Sequence, residues 1–204
     1  MMVLTINREP AASQVYQTSP VILHVLPDLD PGNKAFRLPG KKVPSIKVSQ
    51  ILAWIKSIKP EWDTERKDLT IFLASQSFID DHLKEVYDRN IKNGTPVPDH
   101  FNIPGSVNAF FTQSAVEGTI TKYYIYLPWN FRLENAKDEA TLVHELWHYV
   151  QRINNIPEEC EDEHEFQAYF YSAAYLMENR GMKSTSPAVK WNIKKSSEHV
   201  CDSS

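Results

Sequence analysis

The sequence contains few of the residues on which several protein classes depend. Two cysteines among 204 residues exclude a disulfide framework and a cysteine-rich zinc cage. The six glycines form no glycine-rich loop, which excludes a phosphate-binding loop of that kind. The 22 basic residues are outnumbered by 26 acidic ones, which argues against a dedicated nucleic-acid-binding protein. No apolar run reaches the roughly 18 residues of a membrane span.

The N-terminal residues also lack the pattern of a secretory signal. The first apolar run covers residues 1–6 and is broken by Asn7, Arg8, Glu9 and Pro10. A signal peptide needs roughly 7–15 apolar residues after a positive start. We therefore expect a cytoplasmic protein, a mature form whose signal has been removed, or export by a route that reads no N-terminal signal.

Length and composition predict one globular domain. Apolar residues make up 42% of the chain and charged residues 24%, close to the globular averages. We predict a single domain over residues 1–182, in which residues 1–44 form a proline-rich and mostly extended segment. Residues 183–204 are polar and contain lysines, which predicts a partly ordered tail with Trp191 as its main apolar anchor.

Hydrophobic periodicity and capping residues predict the order of helices and strands. The predicted strands cover residues 21–26, 69–74, 107–112 and 120–127. The last two are expected to form an antiparallel hairpin around Glu117 and Gly118. The predicted helices cover residues 45–58 (or 49–58), 77–91, 136–154 and 158–180.

His144, Glu145 and His148 form an HExxH motif within the predicted helix 136–154. Histidines at i and i+4 project from one helix face, so both imidazoles can reach one Zn²⁺ at about 2.0–2.1 Å. Glu145 lies beside the pair, where it can take a proton from a water on the metal. Composition alone would produce only about 0.02 such motifs in this chain. Two surface histidines on a helix that happens to carry glutamate remain the alternative.

Residues 141–150 resemble the extended HExxH signature of the zincin metallopeptidases. Gluzincins are zincins whose third zinc ligand is a glutamate from a second helix after the motif. Glu165 with Ala168 resembles the Glu-x-x-Ala element of small gluzincin-like families. Residues 160–169 are also similar to a stretch in small, uncharacterised bacterial HExxH proteins. The resemblance implies an α+β fold with a minimal gluzincin core, in which a small twisted sheet packs against the HExxH helix and the Glu-bearing helix.

Glu165 is the predicted third zinc ligand, because it follows the motif at the distance of a turn and the start of a new helix. Ala168 lies one turn later, where a small residue lets two helices approach closely around a metal. Glu161, one turn earlier on the same face, is an alternative ligand, as are Glu163 and His164. Residues 158–165 form an acidic run, and most of its acids have a simpler explanation. They complement the positive end of a helix N-terminus and keep one helix face solvated.

The remaining cysteines and histidines carry weaker hypotheses. Cys160 is an improbable nucleophile, because the acids around it disfavour a thiolate. If the protein is exported, Cys160 and Cys201 are expected to pair with each other. Among the histidines outside the motif, we expect His24 in the core and the following at the surface: His82, His100 and His199.

The predicted function is zinc-dependent hydrolysis of peptide bonds, with Glu145 activating water. A peptide or protein substrate is expected to pair with the strand at 120–127 or with its neighbour at 107–112. A nucleic acid is not an expected partner, and no membrane span is expected. One alternative is a zinc-stabilised regulatory or interaction module in which Glu145 is idle. Another is a secreted or injected effector protease with one specific target. The sequence predicts no particular oligomeric state.

Overall fold

The structure, a computed structural model, describes residues 23–25, 45–65, 69–92, 109–116, 119–157, 160 and 162–201. These residues form a mixed α+β fold, as predicted, and the predicted strand at residues 69–74 is confirmed at both ends. No helix among them is both long and apolar enough to span a membrane. The elements follow one another in the order β1 (Leu23–Val25), α1 (Ser45–Ile58), β2 (Leu69–Ala74), α2 (Gln76–Lys92), β3 (Phe110–Val116), β4 (Thr119–Pro128), α3 (Ala136–Ile153), α4 (Glu163–Arg180) and α5 (Pro187–Glu198).

The four strands form one mixed sheet in the order β1–β2–β4–β3. β1, β2 and β4 run parallel, and β3 runs antiparallel to β4, which confirms the predicted hairpin pairing. β3 continues to Val116, beyond the predicted end at residue 112, and residues 107 and 108 lie outside the described residues. Among the described strands β3 has β4 as its single neighbour, so it forms an edge of the sheet.

The two central strands present alternate side chains to two separate layers of helices. One face packs into the main core with α1 and α3 and includes Ile71, Leu73, Ile125 and Leu127. The opposite face packs against α2 in a second cluster formed by Ala74, Ile79, Leu83 and Tyr126. The sheet therefore lies between α2 on one side and the layer that contains the HExxH helix α3 on the other.

Aromatic side chains fix α3 against its neighbours. Trp147 is fully buried and stacks on Tyr171 of α4, with 3.9 Å between ring centroids. The Trp62 ring also packs against the Trp147 ring, with 5.3 Å between ring centroids. The hydroxyl of Tyr149 donates a hydrogen bond of 2.9 Å to the carbonyl of Glu65. These contacts lie within the HExxH segment and just after it, so they set the rotation of the helix that carries the two histidines.

The helix after the motif begins later than predicted. The prediction covered residues 158–180, whereas α4 starts at Glu163, with Asp162 as its N-cap residue. Cys160 lies in a bend before the helix and is joined to Cys201 by a disulfide. Acids favour a helix N-terminus wherever it lies within the run, so they do not fix its first residue. The predicted end is confirmed, because Gly181 closes α4 in the left-handed conformation with φ 61°.

Residues 187–198 form the helix α5, so the prediction of a partly ordered tail is wrong for these residues. Ser186 is the N-cap residue and Pro187 occupies the first turn, where its missing N–H costs nothing. Val189 is fully buried in a cluster with Ala173 and Leu176 of α4. Trp191 is 39% exposed, so Val189 rather than Trp191 anchors the segment. One deeply buried apolar side chain in a polar stretch gives little periodic signal, which explains the error.

Candidate metal centre

The helix α3 brings the two histidines of the motif to one place. Its N-terminus is capped by Asn135, whose side chain accepts a hydrogen bond of 2.9 Å from the backbone N–H of Lys137. Asp138 and Glu139 occupy the first turn, where the helix dipole favours acids. The helix then continues without a break to Ile153, so His144 and His148 lie one turn apart on the same face.

The helix α4 approaches α3 closely where the facing side chains are small. Ala168 is fully buried, and the hydroxyl of Ser172 donates to the carbonyl of Ala140 on α3 at 3.1 Å. The same hydroxyl also contacts the carbonyl of Ala168 at 2.8 Å. The close approach expected from Ala168 is thus present, and it holds the first turn of α4, with Glu165, beside the two histidines.

His144, His148 and Glu165 converge on a single point and can hold a metal ion. The two Nε2 atoms lie 3.0 Å apart. The Glu165 carboxylate lies 3.1 Å from His148 Nε2 and 3.4 Å from His144 Nε2. Ligand atoms around a tetrahedral ion with bonds of about 2.0–2.1 Å lie roughly 3.3 Å from one another. The three separations therefore fit a shared ion with little adjustment.

In the metal-free protein, charges among the same three side chains shift the pKa values of Glu165 and His148. Burial alone raises the pKa of Glu165, but the two imidazoles outweigh it and hold that pKa well below its usual range. Burial alone lowers the pKa of His148, but the Glu165 carboxylate outweighs it and raises the pKa to about 9. At neutral pH His148 therefore carries a proton that faces the Glu165 carboxylate. A cation that binds the three side chains would take the place of this proton.

Glu145 lies beside the ligand group without joining it. Its side chain is buried, and burial raises the pKa of the carboxyl, while the two histidines act in the opposite direction. A hydrogen bond from the backbone of Phe111 in β3 also reaches this carboxyl. The motif glutamate is therefore fixed between the histidines and the edge strand of the sheet.

The alternatives to Glu165 as third ligand have different surroundings. Glu163 accepts a hydrogen bond of 3.0 Å from the Gln167 amide. His164 offers its backbone carbonyl to Gln151 at 3.4 Å. Neither residue belongs to the ligand group found within the described part of the chain. Glu161 lies outside the described residues, so its role as an alternative ligand stays a prediction.

Gln151 is a site residue that the sequence analysis missed. Its side chain is 1% exposed, and its Oε1 atom lies 3.1 Å from His148 Nδ1. Its Nε2 atom donates to the Gln167 Oε1 atom at 3.2 Å. Its spacing in the sequence could have indicated this role, because a residue three positions after His148 lies on the same helix face.

A cluster of ring side chains packs against His144. The Tyr169 ring lies 4.3 Å from the His144 ring and 5.6 Å from the Trp191 ring of α5, between centroids. The His199 ring stacks on Tyr169 at 5.7 Å, and His199 Nδ1 lies 2.9 Å from an Asp162 oxygen. His199, which was expected at the surface, is partly buried, with 20% of its side chain exposed. Its polar local sequence did not reveal that tertiary packing places this histidine against Tyr169, whose ring contacts His144.

Cys160 and Cys201 form a disulfide that joins the segment before α4 to the segment after α5. Their Cα atoms lie 5.9 Å apart, within the usual range for a disulfide. The pairing left open by the sequence is therefore present. It also contradicts the hypothesis that Cys160 is a nucleophile, because a disulfide sulfur has no thiolate to offer.

Comparison with known proteins assigns no family to the chain. No protein-family model, no curated protein and no solved structure matches it. The chemistry of the site is therefore argued from its own side chains, whose three ligand atoms lie within 4.8 Å of one another.

Proposed function

We propose that this protein is a zinc-dependent metallopeptidase with the gluzincin arrangement of ligands. The observation that supports it most strongly is the convergence of His144, His148 and Glu165 beside the buried carboxyl of Glu145. Metal ligands without an adjacent base would support a structural site equally well. A buried glutamate next to the ligands, but outside the ligand group, is what metal-assisted hydrolysis requires.

The HExxH spacing of the two histidines, together with the donor set, favours zinc. Two imidazoles and one carboxylate are a common ligand set of catalytic zinc sites, in which three protein ligands leave a fourth position open. When bound in such a site, zinc polarises a carbonyl and lowers the pKa of water to about 7. The carboxylate of Glu165 offsets part of the charge of the ion within a largely apolar surrounding.

Glu145 is the general base of the proposed reaction. It accepts a proton from the attacking water and passes it to the leaving amine when the peptide bond breaks. Its raised pKa suits both steps, since a carboxylate that holds a proton more tightly is a better base at neutral pH. The hydrogen bond from the Phe111 backbone keeps the carboxyl oriented between transfers.

The edge strand β3 is the proposed docking strand for the substrate. An extended peptide can add to a free sheet edge through main-chain hydrogen bonds. β4 is already paired on both sides, whereas β3 has a neighbour on one side among the described strands. Of the two strands considered from the sequence, β3 is therefore the one proposed. Because its Phe111 contacts Glu145, a peptide added there would lie next to the base.

Replacement of Glu145 by glutamine tests the proposal. Amide and carboxyl groups have nearly the same size, so Glu145→Gln should keep the fold and the zinc while hydrolysis falls about 10²–10⁴-fold. Zinc is measured by elemental analysis, and cleavage by mass spectrometry of a digested peptide library. Glu163→Gln is the matched control, because it changes a nearby carboxylate that lies outside the ligand group. Equal turnover by the wild type and Glu145→Gln would contradict the proposal. Zinc binding without any cleavage would favour the interaction module.

A further inference from the structure

Gln151 connects the two helices that carry the ligands. It lies on α3, one turn after His148, and its amide is almost completely buried. Its oxygen faces His148 Nδ1 at 3.1 Å. Its nitrogen faces α4, where it contacts the carbonyl of His164 at 3.4 Å and the Gln167 side chain at 3.2 Å. One neutral side chain thus touches a ligand on α3 and the first turn of α4.

The surroundings of Gln151 allow only one orientation of its amide. A backbone carbonyl can only accept a hydrogen bond, so the end that faces His164 must be the NH₂ group. The second contact agrees, because Gln167 uses its own NH₂ group to donate to the Glu163 carboxylate at 3.0 Å and so turns its oxygen toward Gln151. The oxygen of Gln151 must therefore face His148.

This orientation decides which nitrogen of His148 carries the proton in the neutral ring. An amide oxygen is an acceptor, so Nδ1 of His148 must donate to it and must carry the hydrogen. The lone pair of the neutral ring then lies on Nε2, the atom that faces His144 and Glu165. His144 differs, since its buried Nδ1 has no hydrogen-bond partner among the described residues.

We propose that Gln151 is a positioning residue of the metal site, which holds His148 in the Nδ1–H form and ties that histidine to the first turn of α4. The inference rests on the metal site of the proposed function and is independent of peptide hydrolysis. A carboxylate at this position could accept from His148 but could not donate to the carbonyl of His164. A neutral amide is the group that serves both helices at once.

Two readouts test this role: the zinc dissociation constant and the exchange rate of the His148 Nδ1 proton by ¹⁵N-edited NMR. Gln151→Met keeps the length of the side chain and removes its hydrogen bonds. We expect this variant to bind zinc about 10–100-fold more weakly, as is typical when a partner of a ligand is lost, and its Nδ1 proton to exchange faster. Gln151→Glu should keep a slowly exchanging Nδ1 proton, because its carboxylate still accepts.

Asn192→Leu is the matched control, because it removes another buried amide, on α5, that bonds a backbone carbonyl. It should leave both readouts at wild-type values. Unchanged zinc affinity and proton exchange in Gln151→Met would overturn the inference. If Gln151→Met does not fold, fast Nδ1 exchange in Gln151→Glu would overturn it instead. A wild-type protein that binds no zinc would sink the proposed function, whereas the exchange rates, measured without metal, still decide the role of Gln151.

Discussion

Two imidazoles and one carboxylate lie together at the site. The carboxylate raises the pKa of the His148 imidazole, and the imidazoles lower the pKa of the carboxylate. Neutral imidazoles would leave a bound dication with its full charge, and the Glu165 carboxylate lowers it. In the metal-free protein the same carboxylate binds a proton through His148 instead. A metal ion and the proton on His148 therefore compete for the same position between the three side chains. The effects expected below for single residues and for pH follow from this competition.

Glu165→Ala should release zinc, because it removes one of three ligands. We expect a loss of affinity greater than the roughly 100-fold that the loss of an outer partner costs. Glu163→Gln, which keeps an oxygen that can accept from Gln167, and Glu161→Ala should both bind zinc like the wild type. The measurement is the zinc dissociation constant of all three variants at one pH. Release of zinc by Glu161→Ala, with retention by Glu165→Ala, would move the third ligand to Glu161, four positions toward the N-terminus.

Zinc affinity should rise with pH up to about 9. The pKa of His148 is raised to about 9 in the metal-free protein, so below that pH zinc must expel a proton from this ring. Stability of the metal-free protein should change in the opposite direction. A histidine pKa raised above 6.5 stabilises the fold fully below 6.5, and this contribution is lost as pH rises through 9. Calorimetric titration in buffers of different ionisation enthalpy measures the released proton, and a pH-independent affinity would contradict this account.

At the scale of helices and strands, the residues that follow α5 are connected to the start of α4. The disulfide, the contact between His199 and Asp162, and the ring of Tyr169 all connect these two segments. None of these groups is a ligand. Their shared effect is to fix the N-terminal end of the helix that carries Glu165.

The double variant Cys160→Ser, Cys201→Ser should be less stable but should still bind one zinc per chain. The disulfide closes a loop with a sequence separation of 41, and the chain-entropy model then gives a loss of about 4 kcal/mol. Denaturant unfolding measures the loss, and reductant should shift the wild type by a similar amount. Zinc loss in a folded double variant would contradict the assignment of ligands to the histidines and Glu165.

The sequence predicted the elements whose signals are local. The HExxH helix has a capping asparagine, acids in its first turn and apolar residues on its inner face, so its bounds were predicted to within one residue. The antiparallel pairing of β3 and β4 followed from a short connection between two apolar runs. The grouping of His144, His148 and Glu165 was also predictable. Two histidines four residues apart share a helix face, and Glu165 follows them at the distance of a turn and the start of a new helix.

The features that the sequence did not predict depend on tertiary contacts. α5 has one fully buried apolar side chain, Val189, and one such position is too little for a periodic pattern. The start of α4 was misplaced because several acids fit a helix N-terminus equally well. Gln151 and His199 were missed because an amide or a lone histidine gains its role from what packs against it.

At the scale of the whole molecule, the candidate metal site lies between the two helices α3 and α4, and the sheet packs against α3. α3 belongs to the main core together with β2 and β4, and α4 contributes Ala168 and Tyr175 to the same core. A bound ion therefore connects elements that the hydrophobic core already holds together. It should add to the stability of a preformed fold rather than create the fold.

Zinc should raise the unfolding temperature of the whole protein. A ligand present at 100 times its dissociation constant stabilises the folded state by about 2.7 kcal/mol. For a chain of this size that corresponds to a shift of about 5–10 °C. Thermal unfolding with zinc and with a chelator measures it, and Glu165→Ala should show no shift. A chelated wild type without any cooperative transition would instead mean that the ion is needed for folding.

The order of elements along the chain has a consequence for synthesis on the ribosome. All four described strands precede α3, whereas the three ligands lie together between residues 144 and 165. Because domains fold as their segments emerge, the sheet can be complete before the last ligand has left the ribosome. The proposed activity would then arise only in molecules whose supporting framework already exists. A nascent chain interrupted before residue 165 would lack the third proposed ligand and, with it, the proposed activity toward the proteins around it.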